Sequence, residues 1–348
     1  MPHQSPPVSA ILLCYNCENF IGKALQSALD QECPPMQLIV SDDASTDGTV
    51  EVVRDMLAAY KGPHQVEFYQ RSSNSGSKSA HLNSVFPLAT GELIVSFDGD
   101  DISEPIRVRR IMDAFATNPD AYAVYSSFSL IDDAGQLRSA GNVPHPRKGE
   151  QASTWFARVD SYAAGTTLAI RREVVEKFGT LEPGINEDIV LPFRASLLGD
   201  VVYIEEELVK ARRHGESLTA DLGRFESLAR YRERIELGIE RAREHKVSRF
   251  ADIRTAATLM PERISELRLL ESAVHDSVTM AESSAGLVSK SLLTRLTALL
   301  HLWKTDAYPE ERSRQVFLAF APRLYLRYKR HTLRTRRKQS SSHNYSDA

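Results

Sequence analysis

Three carboxylates fall within four residues at Asp98-Gly99-Asp100-Asp101, directly after the apolar run Leu93 to Phe97. Carboxylate oxygens are hard ligands, and Mg²⁺ or Mn²⁺ takes one or two of them and fills its other positions with water and substrate phosphates. Asp98 and Asp100 therefore suit a divalent cation held against a diphosphate. An acidic turn capping the helix that starts near Glu104 would use the same residues, so this segment alone decides little. A second cluster, Asp42-Asp43 with Ser45 and Asp47, follows the apolar run Leu38 to Val40. One of its carboxylates can accept a hydrogen bond from the ring N–H of a uracil-like base or from ribose hydroxyls, but it repels phosphate unless a cation intervenes. Thr46 and Asp47 are also of the types that cap helices.

The elements that must position these residues alternate in kind. Val8 to Leu13 reads as a buried strand and Ile21 to Asp30 as a helix; Gln37 to Val40 and Val50 to Tyr60 repeat the unit. Gln65 to Tyr69 reads as a third strand, followed by a Ser/Asn/Gly loop and a helix to Leu88, and Leu93 to Phe97 as a fourth strand. Strands alternating with helices of about ten residues predict βαβ units in a mainly parallel sheet covered on both faces. Ligands of such sheets bind beyond the carboxyl ends of the strands, where the clusters after Leu13, Val40 and Phe97 would lie. From Arg107 to Val209 the pattern is mixed, with a helix to about Asn118, a strand at Ala121 to Ser127 and a turn at Asp132 to Gly135.

Composition bounds the setting. With 348 residues, 42% hydrophobic and 26% charged, the chain has the make-up of a water-soluble globular protein with a sizeable core. The N-terminus lacks the basic and apolar regions of a signal peptide, and no stretch of about 18 apolar residues occurs, so a cytoplasmic protein without a membrane span is expected. Cys14, Cys17 and Cys33 are expected to be reduced thiols. The net charge of −3 hides a basic tail with Arg327, Lys329, Arg330, Arg334, Arg336 and Arg337. No G-x-G-x-x-G follows the first strand, which disfavours a dinucleotide-dependent dehydrogenase. No Gly-rich phosphate loop with a following basic residue supports a nucleotidyltransferase.

Taken together, VSAILLCYN, VSDDASTDGT, NSG with Asn83, GELIVSFDGDD, Asn186-Glu187-Asp188 and ARRHG resemble the family 2 glycosyltransferases of the GT-A fold, over roughly Val8 to Ser217. The resemblance implies an inverting transfer of sugar from a nucleotide diphosphate donor, a UDP-sugar above others, to a hydroxyl acceptor. It implies that Leu13, Tyr15 and Asn16 line the base pocket, that Asp43 contacts the base with Asp42 beside it, and that Asp98 and Asp100 form the D-x-D pair, Asp100 as the direct ligand of Mg²⁺ or Mn²⁺. It further implies that Asp188 is the general base and that Arg212 and His214 lie near the diphosphate, with His214 as a further metal ligand. A scaffold that binds donor without turnover is the non-enzymatic alternative, and it would not need Asp188. Departures from the family pattern are Ser41, Ala44 and Ala211. Lys78 and His81 fall in a loop whose alignment is open, and Gly165 matches an acceptor-side segment.

Beyond Leu218 almost no Gly or Pro interrupts long segments rich in Arg, Glu, Leu and Ala. The expected organisation is a transferase domain over 1–220, an α-helical region over 221–338 with helices at Phe225–Lys246, Pro261–Glu282, Ala285–Trp303 and Pro309–Leu333, and a disordered tail over 339–348. The stripes at Leu296, Leu299, Leu300 and Trp303 predict helix packing and offer a homodimer surface. The segment Arg323 to Arg330, mixing basic with apolar and aromatic residues, could lie on an anionic membrane and bring the protein to the inner face, which would suit a lipid-linked rather than a free saccharide acceptor of cell-surface polysaccharide synthesis. Nucleic acid is not expected as a partner, since no base-reading module accompanies these charges.

Overall fold

The computed structural model describes residues 7–141, 145–146, 151–158, 165–213, 228–286 and 291–304. Its first elements are β1 (Val8–Cys14), α1 (Ile21–Leu29), β2 (Gln37–Asp42), α2 (Thr49–Ala59), β3 (Gln65–Gln70), α3 (Lys78–Val85) and β4 (Leu93–Asp98). All seven residues of β1 are buried, the signature of a central strand with both faces covered. In α1 the buried residues Ile21, Ala24, Leu25, Ala28 and Leu29 recur at the spacing of one helix face, which docks onto this sheet. Each such Leu or Ile contributes about 1.5–3 kcal/mol by leaving water.

Then come β5 (Ile102–Ser103), α4 (Arg107–Thr117), β6 (Ala121–Ile131), β7 (Leu137–Ala140), α5 (Ala152–Arg158), β8 (Ala169–Arg171), α6 (Arg172–Phe178), α7 (Glu187–Leu198) and β9 (Asp200–Arg212). Among the described residues they form one nine-stranded sheet in the order β3-β2-β1-β4-β8-β6-β9-β5, with β7 paired to β6. The α/β architecture expected from the sequence is present. Its parallel part is the run β3-β2-β1-β4, and β6 with β9, whereas β8, β5 and β7 pair antiparallel. Those three strands have four residues or fewer, too short to show a period in the sequence.

The helices that follow are α8 (Leu228–Leu259), α9 (Ile264–Gly286) and α10 (Leu292–Lys304). Among the described residues no helix is long and apolar enough to cross a membrane. The basic segment at 323–338 and the helix expected at 309–333 lie outside the described residues.

The chain gathers into two compact units. One comprises Met1–Ala220 with Val247–Ala273, the other Asp221–Lys246 with Val274–Ala348. The first unit thus takes part of the helical region for itself. The reason is a buried ion pair: Arg194 of α7 and Asp252 of α8 are 6% and 5% exposed, with Nε to Oδ1 at 3.0 Å. Arg194 also donates to the carbonyls of Gly179 (2.9 Å) and Thr180 (3.3 Å), and the Arg249 guanidinium lies 5.7 Å above the Phe193 ring. Breaking such a pair leaves one buried charge unanswered. The variant Asp252→Ala is therefore expected to lose about 3 kcal/mol of unfolding free energy. Urea denaturation checks this, and an unchanged midpoint would refute a structural role for the pair.

Candidate active site

The strand register builds the site. In the sheet Leu13 lies level with Ser41 on one side and Asp98 on the other, and Cys14 lies level with Asp42. Asp42, Asp43, Asp98 and Asp100 are therefore brought to one carboxyl edge, on either side of the end of β1. Gly99 N–H donates to the Leu13 carbonyl at 2.8 Å. A Cβ on Gly99 would stand 2.9 Å from Cys14 Cβ and 3.0 Å from Cys17 Sγ, so only glycine lets the D-G-D turn pack against this strand end.

On the β2 side, Asp42 accepts from the Ser45 N–H at 2.9 Å and from the Ser45 hydroxyl. Asp43 accepts from Ser75 N–H (2.9 Å), Ser75 Oγ (2.6 Å) and Arg71 Nε (3.0 Å). Arg71 has no signal in the sequence beyond its place just past the end of the third strand, and Ser75 is marked only as the middle of the NSG motif. Asn16 accepts from the Thr46 N–H at 2.8 Å and so ties the two strand-end loops together. Tyr15 is 48% exposed, while Leu13 is buried. Asn16 and Ala44 both adopt positive φ, 47° and 63°. At Ala44 a side chain stands in the backbone region that glycine occupies without strain. Ala44→Gly is accordingly expected to raise stability by roughly 1 kcal/mol, readable as a higher melting temperature; a lower one would contradict the strain.

The D-x-D turn is braced by two arginines. Arg107 is fully buried, donates to Ser96 O (2.7 Å) and Ser103 Oγ (2.9 Å), and stacks 4.6 Å from the Phe97 ring. Burial pulls it down to about 9, against the opposing influence of Asp98 and Asp101. Arg212 donates to the carbonyls of Asp100 (2.9 Å), Asp132 (2.6 Å) and Asp133 (3.0 Å), and lies 4.8 Å above the Phe20 ring. Its backbone N–H reaches Asp101 Oδ1 at 2.6 Å. Arg212 thus fixes the turn through backbone carbonyls. Burial and the neighbouring Asp100 and Asp98 hold the Asp101 carboxyl well above the usual range. His214 lies outside the described residues.

Opposite the turn, α7 begins with Asn186, Glu187 and Asp188. Lys78, at the start of α3, reaches both sides: its Nζ is 2.8 Å from Asp98 Oδ1 and 2.9 Å from Glu187 Oε1. Burial alone would lower the Lys78 pKa, but Asp98 and Glu187 outweigh it and hold it above the ordinary value. Gly165 packs against this bridge, since a Cβ there would stand 2.5 Å from Glu187 Oε1 and 3.5 Å from Asp188 Cβ. Asp188 Oδ1 is buried without a hydrogen-bond partner among the described residues. Burial, then the neighbouring Glu187, push the Asp188 carboxyl up to about 7, with Lys78 opposing and Asp98 adding to the rise. Pro192 lies inside α7, four residues past Asp188, where it offers no N–H to the Asp188 carbonyl.

Among the described residues no three His, Cys, Asp or Glu side chains gather to hold a metal by themselves. Asp98 and Asp100 fit a divalent cation as the kind of site that Mg²⁺ or Mn²⁺ completes with water and substrate phosphates.

The pattern described as glycosyl transferase family 2 matches residues 9–179. Over these residues the chain is similar to that family. An uncharacterized glycosyltransferase of Nostoc is 26% identical over 215 residues, covering 60% of this chain and 65% of that protein's length. Among solved structures, residues 1–349 of Staphylococcus aureus TarS in complex with UDP-GlcNAc align with a TM-score of 0.53 at 18% identity, over 91% of this chain and 92% of that one. The mannosyltransferase PcManGT of Pyrobaculum calidifontis in complex with GDP-Man and Mn²⁺ gives 0.50 at 18%, over 94% and 88%. These likenesses establish a GT-A fold.

The raised Asp188 has a stability signature. Its folded pKa lies above that of the unfolded chain, so the folded state holds the proton more tightly, and stability falls as pH rises from about 4 through about 7. Asp188→Asn removes that penalty. The variant is expected to melt higher than the wild type at pH 8 and by much less at pH 5; an equal difference at both pH values would refute the raised carboxyl.

Proposed function

We propose that this protein is an inverting glycosyltransferase that moves a sugar from a nucleotide diphosphate donor, a UDP-sugar above others, to the hydroxyl of a saccharide or lipid-linked acceptor. The observation that carries the reading is Asp188: a carboxylate poised at about 7, one oxygen unpartnered, tied through Glu187 and Lys78 to the D-x-D turn. A hydroxyl is a poor nucleophile, and a carboxylate with this pKa is matched to taking its proton at neutral pH.

In this mechanism Asp188 accepts the acceptor's proton while the acceptor oxygen bonds to the anomeric carbon. The bond from that carbon to the phosphate oxygen breaks, and its electron pair leaves with the nucleoside diphosphate. Attack opposite the leaving group inverts the anomeric configuration. Leu13, Tyr15, Asn16, Asp42 and Asp43 would receive the nucleoside, with Asp43 fixed for that contact by Ser75 and Arg71. Asp98 and Asp100 would hold Mg²⁺ or Mn²⁺, which neutralises charge on the departing diphosphate; the Mn²⁺ in the PcManGT structure supports this choice. Arg212 would act through the turn it braces, with His214 near the diphosphate. The UDP-GlcNAc of the TarS structure supports a uridine donor. A peripheral location on the inner face of the membrane, through the basic C-terminal segment, belongs to the same proposal, as does assembly into a homodimer.

The test is a thermal-shift panel of UDP-, GDP- and dTDP-sugars with Mn²⁺, Mg²⁺ or a chelator, since a ligand of the native state raises apparent stability. The expected outcome is metal-dependent stabilisation by UDP-sugars, lost in Asp100→Asn and retained in Asp188→Asn. Turnover should fall by about 10² or more in Asp188→Asn and, in the wild type, should rise tenfold per pH unit below about 7. A fully active Asp188→Asn would remove the assigned base, and no response to any nucleotide-sugar would favour a scaffold without turnover.

A further inference from the structure

Lys78 is a basic side chain set between two acidic neighbours, Asp98 and Glu187. Its ammonium touches both oxygens of Asp98, at 2.8 and 2.9 Å, and Glu187 Oε1 at 2.9 Å. Asp98 ends β4, Lys78 begins α3, and Glu187 begins α7, so a single cation joins three separate elements. The contacts are made within a crowded space, because a Cβ on Gly165 would stand 3.3 Å from Lys78 Nζ and 2.5 Å from Glu187 Oε1. Ser77 caps α3 by accepting from the Ala80 N–H at 3.2 Å, and its hydroxyl also accepts from Gly184 N–H at 3.1 Å. The start of α3 is therefore anchored on the loop that leads into α7, which leaves the ammonium little choice of position.

We propose that Lys78 is a positioning residue that couples the donor half of the site to the base, by holding Glu187 onto Asp98 and away from Asp188. The proposal rests on the glycosyl-transfer reading for its meaning in catalysis, though the coupling itself is a property of the fold. Glu187 and Asp188 are consecutive at a helix start, and without a cation their carboxylates repel each other. With Lys78 in place, Glu187 faces the D-x-D turn and Asp188 keeps its unpartnered oxygen for an incoming hydroxyl. The charged groups that bear on Asp188 are Glu187 on its own helix, Lys78 from α3 and Asp98 from the turn. Lys78 is the one among these that favours the ionised base. Any rearrangement of Asp98 when a donor and its cation arrive is transmitted through Lys78 to Glu187, so donor occupancy and readiness of the base are linked.

The experiment follows Asp188 directly in the full chain. A water-soluble carbodiimide with glycine ethyl ester modifies protonated carboxyls, and mass spectrometry of the modified peptides from about pH 5 to pH 9 gives a midpoint for Asp188 without any sugar present. In K78M the midpoint is expected to move up by about one pH unit, and in K78R, which keeps the charge, to stay near the wild-type value. In E187Q the midpoint should move down, and adding K78M to E187Q should shift it by much less than K78M alone. An unmoved midpoint in K78M overturns the proposal, and an equal shift in the E187Q background overturns the coupling through Glu187. The same variants are assayed for UDP release from UDP-N-acetylglucosamine. A midpoint that moves as stated in a protein with no turnover of any nucleotide-sugar sinks the transferase reading and leaves the coupling standing; turnover with an unmoved midpoint does the reverse.

Discussion

Carboxylates repel one another, and this site gathers Asp42, Asp43, Asp98, Asp100, Asp101, Glu187 and Asp188 around one edge of a sheet. Groups so placed remain ionised only where cations or N–H donors answer them. The fold supplies those answers nearly one by one. Ser45 answers Asp42, Ser75 and Arg71 answer Asp43, and Lys78 answers Asp98 and Glu187, whereas at Asp101 burial and the neighbouring carboxylates outweigh the Arg212 N–H and hold the carboxyl above the usual range. Asp188 keeps an oxygen without a hydrogen-bond partner among the described residues, and that incompleteness is what suits it to chemistry.

Two arginines show how the same constraint reaches into the core. Arg107 lies beneath the D-x-D turn and Arg212 beside it, and both spend their donors on carbonyls and hydroxyls rather than in ion pairs. Each contributes positive charge to the region while its geometry is fixed by the backbone. The turn is consequently held through its backbone, while the Asp98 carboxylate is held by Lys78.

The parallel half of the sheet was legible because β1, β2 and β4 are continuous apolar runs ended by polar clusters, and carboxyl-edge ligand placement follows from that pattern alone. The antiparallel strands were not, since β5, β7 and β8 are too short to carry a period, and β5 and β8 are defined by partners far away in sequence. The acidic members of the site could be read from their motifs. Lys78 falls in a loop of open alignment, Ser75 enters only as the middle of the NSG motif, and Arg71 carries no motif at all, because their roles come from side chains meeting across loops. The Arg194–Asp252 pair lay beyond reach for a similar reason: a charged residue in an Arg- and Glu-rich helix gives no sign that it is buried.

Pro192 gives α7 an uneven mechanical character. The Asp188 carbonyl has no amide four residues on to receive, so the turn that carries Glu187 and Asp188 is joined to the helix body by one rung fewer than a continuous helix would have. Beyond the proline, Phe193 to Leu197 are buried without exception and Arg194 is anchored on α8. Ile189 to Leu191, before the proline, are buried as well, so side-chain packing and the Lys78 bridge hold the tip where the helix ladder is interrupted. The position of Glu187 and Asp188 is thereby set by tertiary contacts more than by helical hydrogen bonding.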